Sequence, residues 1–202
     1  MQRLHWYEAN QTTSFAVPGH PKTLGFDGAN IWVTGSTTLT KLRASDGTIL
    51  GTFGSPGANC TGLAFDGANI WLACNDQVVV LRPSDGAQIG FVSVFRSSID
   101  GTIAFDGANI WVTNSNTGGG GNTVTKLRAS DGALLGTFPA GIFPVGLAFD
   151  GANIWVTHVG GVSKLRPSDG AMLGTFAVSG DDMVFDGTNI WVANFNGFVS
   201  KL

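Results

Sequence analysis

One phrase, Phe-Asp-Gly-Ala-Asn-Ile-Trp-Val, recurs five times along the chain, beginning at Phe26, Phe65, Phe105, Phe149 and Phe185; Leu72 closes the second copy and Thr188 replaces Ala in the fifth. The copies stand 39, 40, 44 and 36 residues apart. That is the length of a four-stranded blade, and repeats of this size stack into solenoids, propellers or arrays. A second unit, built as Lys-Leu-Arg, then Ser-Asp-Gly, then Gly-Thr-Phe, fills the intervals at 41–53, 126–138 and 164–176.

Each period holds four short apolar runs. In the third they are 102–105, 109–113, 124–128 and 134–138, rich in Val, Ile, Thr, Phe and Trp and bounded by Gly, Asn, Asp or Ser. Such runs predict strands, and no stretch carries a sustained helical period. We label the four strands A to D, from the centre outward. Asp-Gly recurs between A and B at Asp27, Asp66, Asp106, Asp150 and Asp186, and between C and D at Asp46, Asp85, Asp131 and Asp169. Asp bonds its own backbone and Gly accepts positive φ, so both sites read as tight hairpin turns.

Counting strands tests whether the repeat forms a ring. Five A, five B and five C strands are present, but four D strands lie between repeats. Aligning Leu4 on Leu42 places Phe15 on Phe53, so the segment 14–17 is expected to supply the fifth D strand beside the C-terminal strand C. The closing interval is then 39 residues, within the range of the other four. The expectation is an all-β, five-bladed β-propeller over residues 1–202, its four-stranded antiparallel blades closed by the N-terminal segment 1–17. Closure of this kind removes exposed strand edges. Trp32, Trp71, Trp111, Trp155 and Trp191 hold one B-strand position and are expected to fill the space between blades.

Composition narrows the function classes. The thirty Gly follow the repeat, apart from the Gly118 to Gly121 run in the longest B to C loop. A net charge of −3 argues against a nucleic-acid surface. No apolar run approaches the roughly 20 residues of a membrane span. The expectation is a cytoplasmic monomer with free thiols at Cys60 and Cys74. The strand C cations, such as Lys41, Arg43, Lys126 and Arg128, are expected to line solvated outer faces.

Comparing blades within the chain separates two ends of the disc. The A to B and C to D turns share one end and are nearly identical. At the other end the B to C loops (35–38, 74–77, 114–123, 158–161, 194–197) and the D to A loops (18–23, 54–61, 93–101, 139–145, 177–182) differ in every blade. Loops free to differ can carry binding, so a ligand belongs on this variable face.

Catalysis finds little material there. Of fourteen acidic residues nine are the Asp of turns, and Asp181-Asp182 is the most pointed of the remainder, a cation site with Asp100 being its sharpest reading. His5, His20 and His158 lack the further ligand of a zinc signature, and no nucleophile elbow, P-loop or dinucleotide fingerprint occurs. No catalytic residue, metal or cofactor is assigned. Uncharged polarity with scattered rings is what the face offers. Asn75, Asp76, Asn114, Asn116, His158, Asn194, Asn196, Asp181, Asp182, Arg96, Phe143 and Phe195 are the candidate ligand-binding residues; amides beside an aromatic ring suit sugar or peptide.

The run Pro144-Val145-Gly146-Leu147-Ala148-Phe149-Asp150, followed by Asn153-Ile154-Trp155-Val156-Thr157 and Val162-Ser163-Lys164-Leu165, resembles the bacterial NHL or YVTN class of β-propeller repeats. The resemblance covers essentially the whole chain and implies a blade, while that class includes sensors, scaffolds, ligand binders and a few lyases. Members usually have six or seven blades; five is a departure. The leading expectation is a non-enzymatic recognition propeller that binds a protein, peptide or other partner, with no nucleic acid and no membrane. A glycan-binding lectin, a repeat domain without activity of its own, and a hydrolase or lyase are the alternatives.

Overall fold

The computed structural model describes residues 14–57, 59–75, 77–94, 101–115, 121–194 and 197–202. Blade 1 is β1 (Thr23–Phe26), β2 (Asn30–Thr34), β3 (Thr38–Arg43) and β4 (Ile49–Gly54). Blade 2 is β5 (Cys60–Phe65), β6 (Ile70–Cys74), β7 (Gln77–Leu81) and β8 (Gln88–Ser93); blade 3 is β9 (Ile103–Phe105), β10 (Asn109–Asn114), β11 (Thr123–Arg128) and β12 (Leu134–Pro139). Blade 4 is β13 (Leu147–Phe149), β14 (Ile154–His158), β15 (Gly161–Leu165) and β16 (Met172–Phe176); blade 5 is β17 (Gly180–Phe185), β18 (Ile190–Asn194) and β19 (Val199–Lys201). Every sheet is antiparallel and ordered as the chain runs. The molecule is a five-bladed β-propeller, with no helix among the described residues.

The inner strands β1, β5, β9, β13 and β17 succeed one another around the centre. Small residues let them approach closely: a Cβ on Gly25 would stand 1.9 Å from Leu63 of the next blade, and one on Gly62 would stand 2.6 Å from the Gly101 carbonyl. The core lies between blades. Trp32 packs with Ile70, Leu72 and Leu81 of blade 2, and Trp71, Trp111 and Trp155 each join the cluster shared with the next blade. Phe53, Phe138 and Phe176 on the outer strands lie 6.0, 5.7 and 5.3 Å from the Trp of their own blade, ring centre to ring centre.

Those outer rings also lock the next blade. Phe53 lies against Gly86 and Phe138 against Gly170, each a glycine of the following C to D turn. Phe15 lies against Gly47 of blade 1 in the same manner. The residue that alignment places opposite Phe53 therefore occupies the same packing position. Residues 14–17 carry no strand, and the remainder of the expected closing segment, 1–13, lies outside the described residues.

Two sequence expectations are corrected. Cys60 and Cys74 are joined by a disulfide, because they are directly paired across β5 and β6. Two strand C lysines are engaged by the next blade, although Lys201 is exposed: Lys126 is buried, and Lys41 and Lys126 donate to the carbonyls of Pro83 and Pro167 in the following blade at 2.7 and 2.5 Å. Their ammonium groups also lie over Trp32 and Trp111. The strand C arginines do face solvent, each pairing with the Asp of its own turn, as Arg43 does with Asp46.

Candidate functional site

The conserved turns are spent on structure. In all five A to B hairpins the Asp accepts two backbone N–H groups with one oxygen and the Trp indole N–H with the other; for Asp27 these come from Ala29, Asn30 and Trp32 at 3.0, 2.7 and 2.7 Å. The indole bond recurs at 2.6–2.7 Å in the other blades. Burial pushes the Asp27, Asp106 and Asp150 carboxyls up, but the indole and its companion donors outweigh it and hold all three below the ordinary carboxylate value. Gly28 follows at φ 94, a backbone conformation that only glycine adopts without strain.

At the variable end, a belt of hydrogen bonds ties blades 1 to 5 in succession. Lys22 donates to Asn59 (3.0 Å), Thr61 to the Gly101 carbonyl (3.1 Å), Thr102 to the Val145 carbonyl, and Thr157 to the Asp181 carbonyl (3.3 Å). The loops around this rim are thus held by rigid strands, as a recognition surface requires.

Three candidates share one position, the last residue of strand B, and each turns inward. Asn114 donates to Thr123 and Thr125, both at 2.9 Å. Asn194 donates to Ser200 at 2.7 Å. His158 stands 3.0 Å from the Val159 carbonyl through Nδ1 and 3.0 Å from the Ser163 hydroxyl through Nε2. A carbonyl can only accept, so Nδ1 donates to Val159, and Nε2 shares a hydrogen bond with the Ser163 hydroxyl. The spacing is that of a base beside a nucleophile. Ser163 is buried, however, and Gly141 lies flat on the imidazole, leaving no room for even a Cβ. In blades 1 and 2 the same position is Gly35 and Cys74, and the hydroxyl of Thr40, which holds the blade 1 position of Thr125, is buried without a partner among the described residues.

Other candidates differ. Asn75 adopts φ 43 and makes the turn after β6. Phe143, at φ 50, is half-buried and donates its backbone N–H to Asn122 at 3.3 Å. Asp181 and Asp182 are exposed on β17, Asp181 being the unpaired residue of a register shift between Gly180 and Asp182, and Asp182 accepts the Met183 N–H at 2.8 Å. Asp76, Arg96, Asn116, Phe195 and Asn196 lie outside the described residues, as does Asp100. Among the described residues no group of three His, Cys, Asp or Glu side chains could hold a metal ion.

One feature of the face was not singled out from sequence. Ile142 and Val159 meet in an isolated bridge, Val159 donating to the Ile142 carbonyl at 2.7 Å, yet their side chains are 55% and 57% exposed. Two apolar residues in loops 139–145 and 158–161 were the available signal.

No protein-family model matches the chain, and no curated protein matches it. Among solved structures it is similar to hydrazine synthase of Kuenenia stuttgartiensis, with a TM-score of 0.73 and 17% identity, over 91% of this chain and 58% of that one. At that identity the likeness concerns the propeller fold alone.

Proposed function

We propose that the chain is a non-enzymatic recognition propeller of the NHL or YVTN kind that engages a protein or peptide through its variable loop face. The observation that carries this reading is the Ile142–Val159 pair: two neighbouring apolar side chains presented to solvent by a backbone bridge, in the loop that also holds Phe143 at positive φ. Exposed apolar groups fixed on a rigid rim favour a peptide or protein surface, and non-glycine positive φ gathers at binding sites. A lectin draws less support, because Asn114 and Asn194 spend their amide donors on strand C hydroxyls. The buried Cys60–Cys74 disulfide supports an oxidising compartment over the cytoplasm.

Selection from a random peptide library tests the proposal. Peptides recovered on the protein are expected to bind the Ile142→Asp/Val159→Asp variant about 30-fold or more weakly. Saturable sugar binding on a glycan array that survives in that variant contradicts it.

A further inference from the structure

The junction between blade 5 and blade 1 differs from the other four. At each formed junction one blade presents a knob and the next a socket: Trp32 and Leu39 of blade 1 enter a socket of Leu63, Ile70, Leu72 and Leu81. By the repeat, the knob of blade 5 is Trp191 with Val199, and the socket of blade 1 is Leu24, Ile31, Val33 and Leu42. Both stand open. Trp191 is 36% exposed and Val199 65%, whereas the other four Trp of this position are buried. On the inner strands Leu24 is 65% and Val184 61% exposed, while Leu147 and Ala148 at the same positions of blade 4 are buried. A cavity of about 530 Å³ lies over Leu24, Ile31, Val33 and Leu42, with Phe15 along it.

The charges at the two ends are complementary. At formed junctions Thr61 and Thr102 reach the carbonyls of Gly101 and Val145 in the next blade. In blade 5 the positions of Thr61 and Thr102 are held by Asp181 and Asp182, and in blade 1 the receiving position is held by Lys22, whose ammonium rests on the exposed Asn59 side chain in the single chain. A hydroxyl suits a carbonyl, and a carboxylate suits an ammonium. The anomalous acidic pair is thereby explained by the blade it must meet.

We infer that knob and socket join two copies of the chain head to tail, blade 5 of one copy seated on blade 1 of the other. The surface continues the interface already built four times within the molecule, and Trp191, Val199 and Leu24 are exposed in a single chain. Such an interface is heterologous and closes into a ring when its rotation allows.

Sedimentation velocity across a concentration series tests this. The wild-type chain is expected to associate at about 10 μM, and Leu24→Arg to weaken association about 30-fold or more. Lys22→Glu alone and Asp181→Lys/Asp182→Lys alone are each expected to weaken it several-fold, and mixing these two variants to restore a one-to-one complex, since every junction then pairs opposite charges. A wild-type chain that stays monomeric at about 100 μM, single variants that associate as tightly as wild type, or a mixture that restores nothing would each overturn the inference.

Discussion

Four of the B-strand tryptophans, Trp32, Trp71, Trp111 and Trp155, perform two tasks: their rings fill the space toward the next blade, and the indole N–H closes the turn of its own hairpin. Trp111→Phe keeps most of the packing and strands the Asp106 acceptor, so we expect it to cost about 1.5–3 kcal/mol. Trp111→Ala adds a cavity and is expected to cost about 3–5 kcal/mol, both read from urea unfolding. The pH dependence follows from the same bonds. Asp27, Asp106, Asp150 and Asp186 have folded values below the ordinary 3.8, so in that window the native state holds fewer protons than the unfolded chain. Their stabilisation is complete above 3.8 and is lost as pH falls through the depressed folded values. The urea midpoint is expected to drop below that pH, less steeply in Trp111→Phe, and a flat acid profile would contradict this account. The Asp-Gly turns were legible in sequence, but the indole bond was not recognised, although Asp and Trp keep a constant spacing of five residues in every blade.

In the third blade the strands were legible to within about a residue because alternation, Asp-Gly turns and β-branched runs agree with one another, whereas the segment 14–17, expected as a D strand, carries no strand. In the third blade the runs 109–113 and 124–128 became Asn109–Asn114 and Thr123–Arg128. What strand ends do was less legible, because a terminal Asn can face a loop or its cross-strand neighbours, and only register decides. Asn114, His158 and Asn194 therefore read as ligands from sequence and fold as internal ties. The disulfide was missed for a related reason: sequence placed both cysteines in one hairpin, but direct pairing of Cys60 with Cys74 depends on a register shift between Cys60 and Gly62. Cross-linking a loop of this length contributes about 3 kcal/mol. The Cys60→Ser/Cys74→Ser variant is expected to lose that stability, and the unfolded, unreduced wild-type chain to titrate no free thiol. Two reactive thiols per chain would contradict the pairing.

At the scale of the molecule, the five-fold repeat made blade number readable from the intervals alone, and the constancy of the turns separated the two ends of the disc. The partner was not readable, since loops that vary obey no shared geometry; Ile142 and Val159 acquire meaning only when a bridge brings 16 intervening residues of chain back on themselves. Hydrogen exchange tests the assignment of faces most directly. With a library-selected peptide bound, protection is expected in the variable-end loops 139–145 and 158–161, while the Asp-Gly turns at 27–30, 66–69 and 106–109 exchange as in the free protein. Protection centred on those turns, with the variable loops unchanged, would contradict the claim that this propeller recognises its partner through the end where its blades differ.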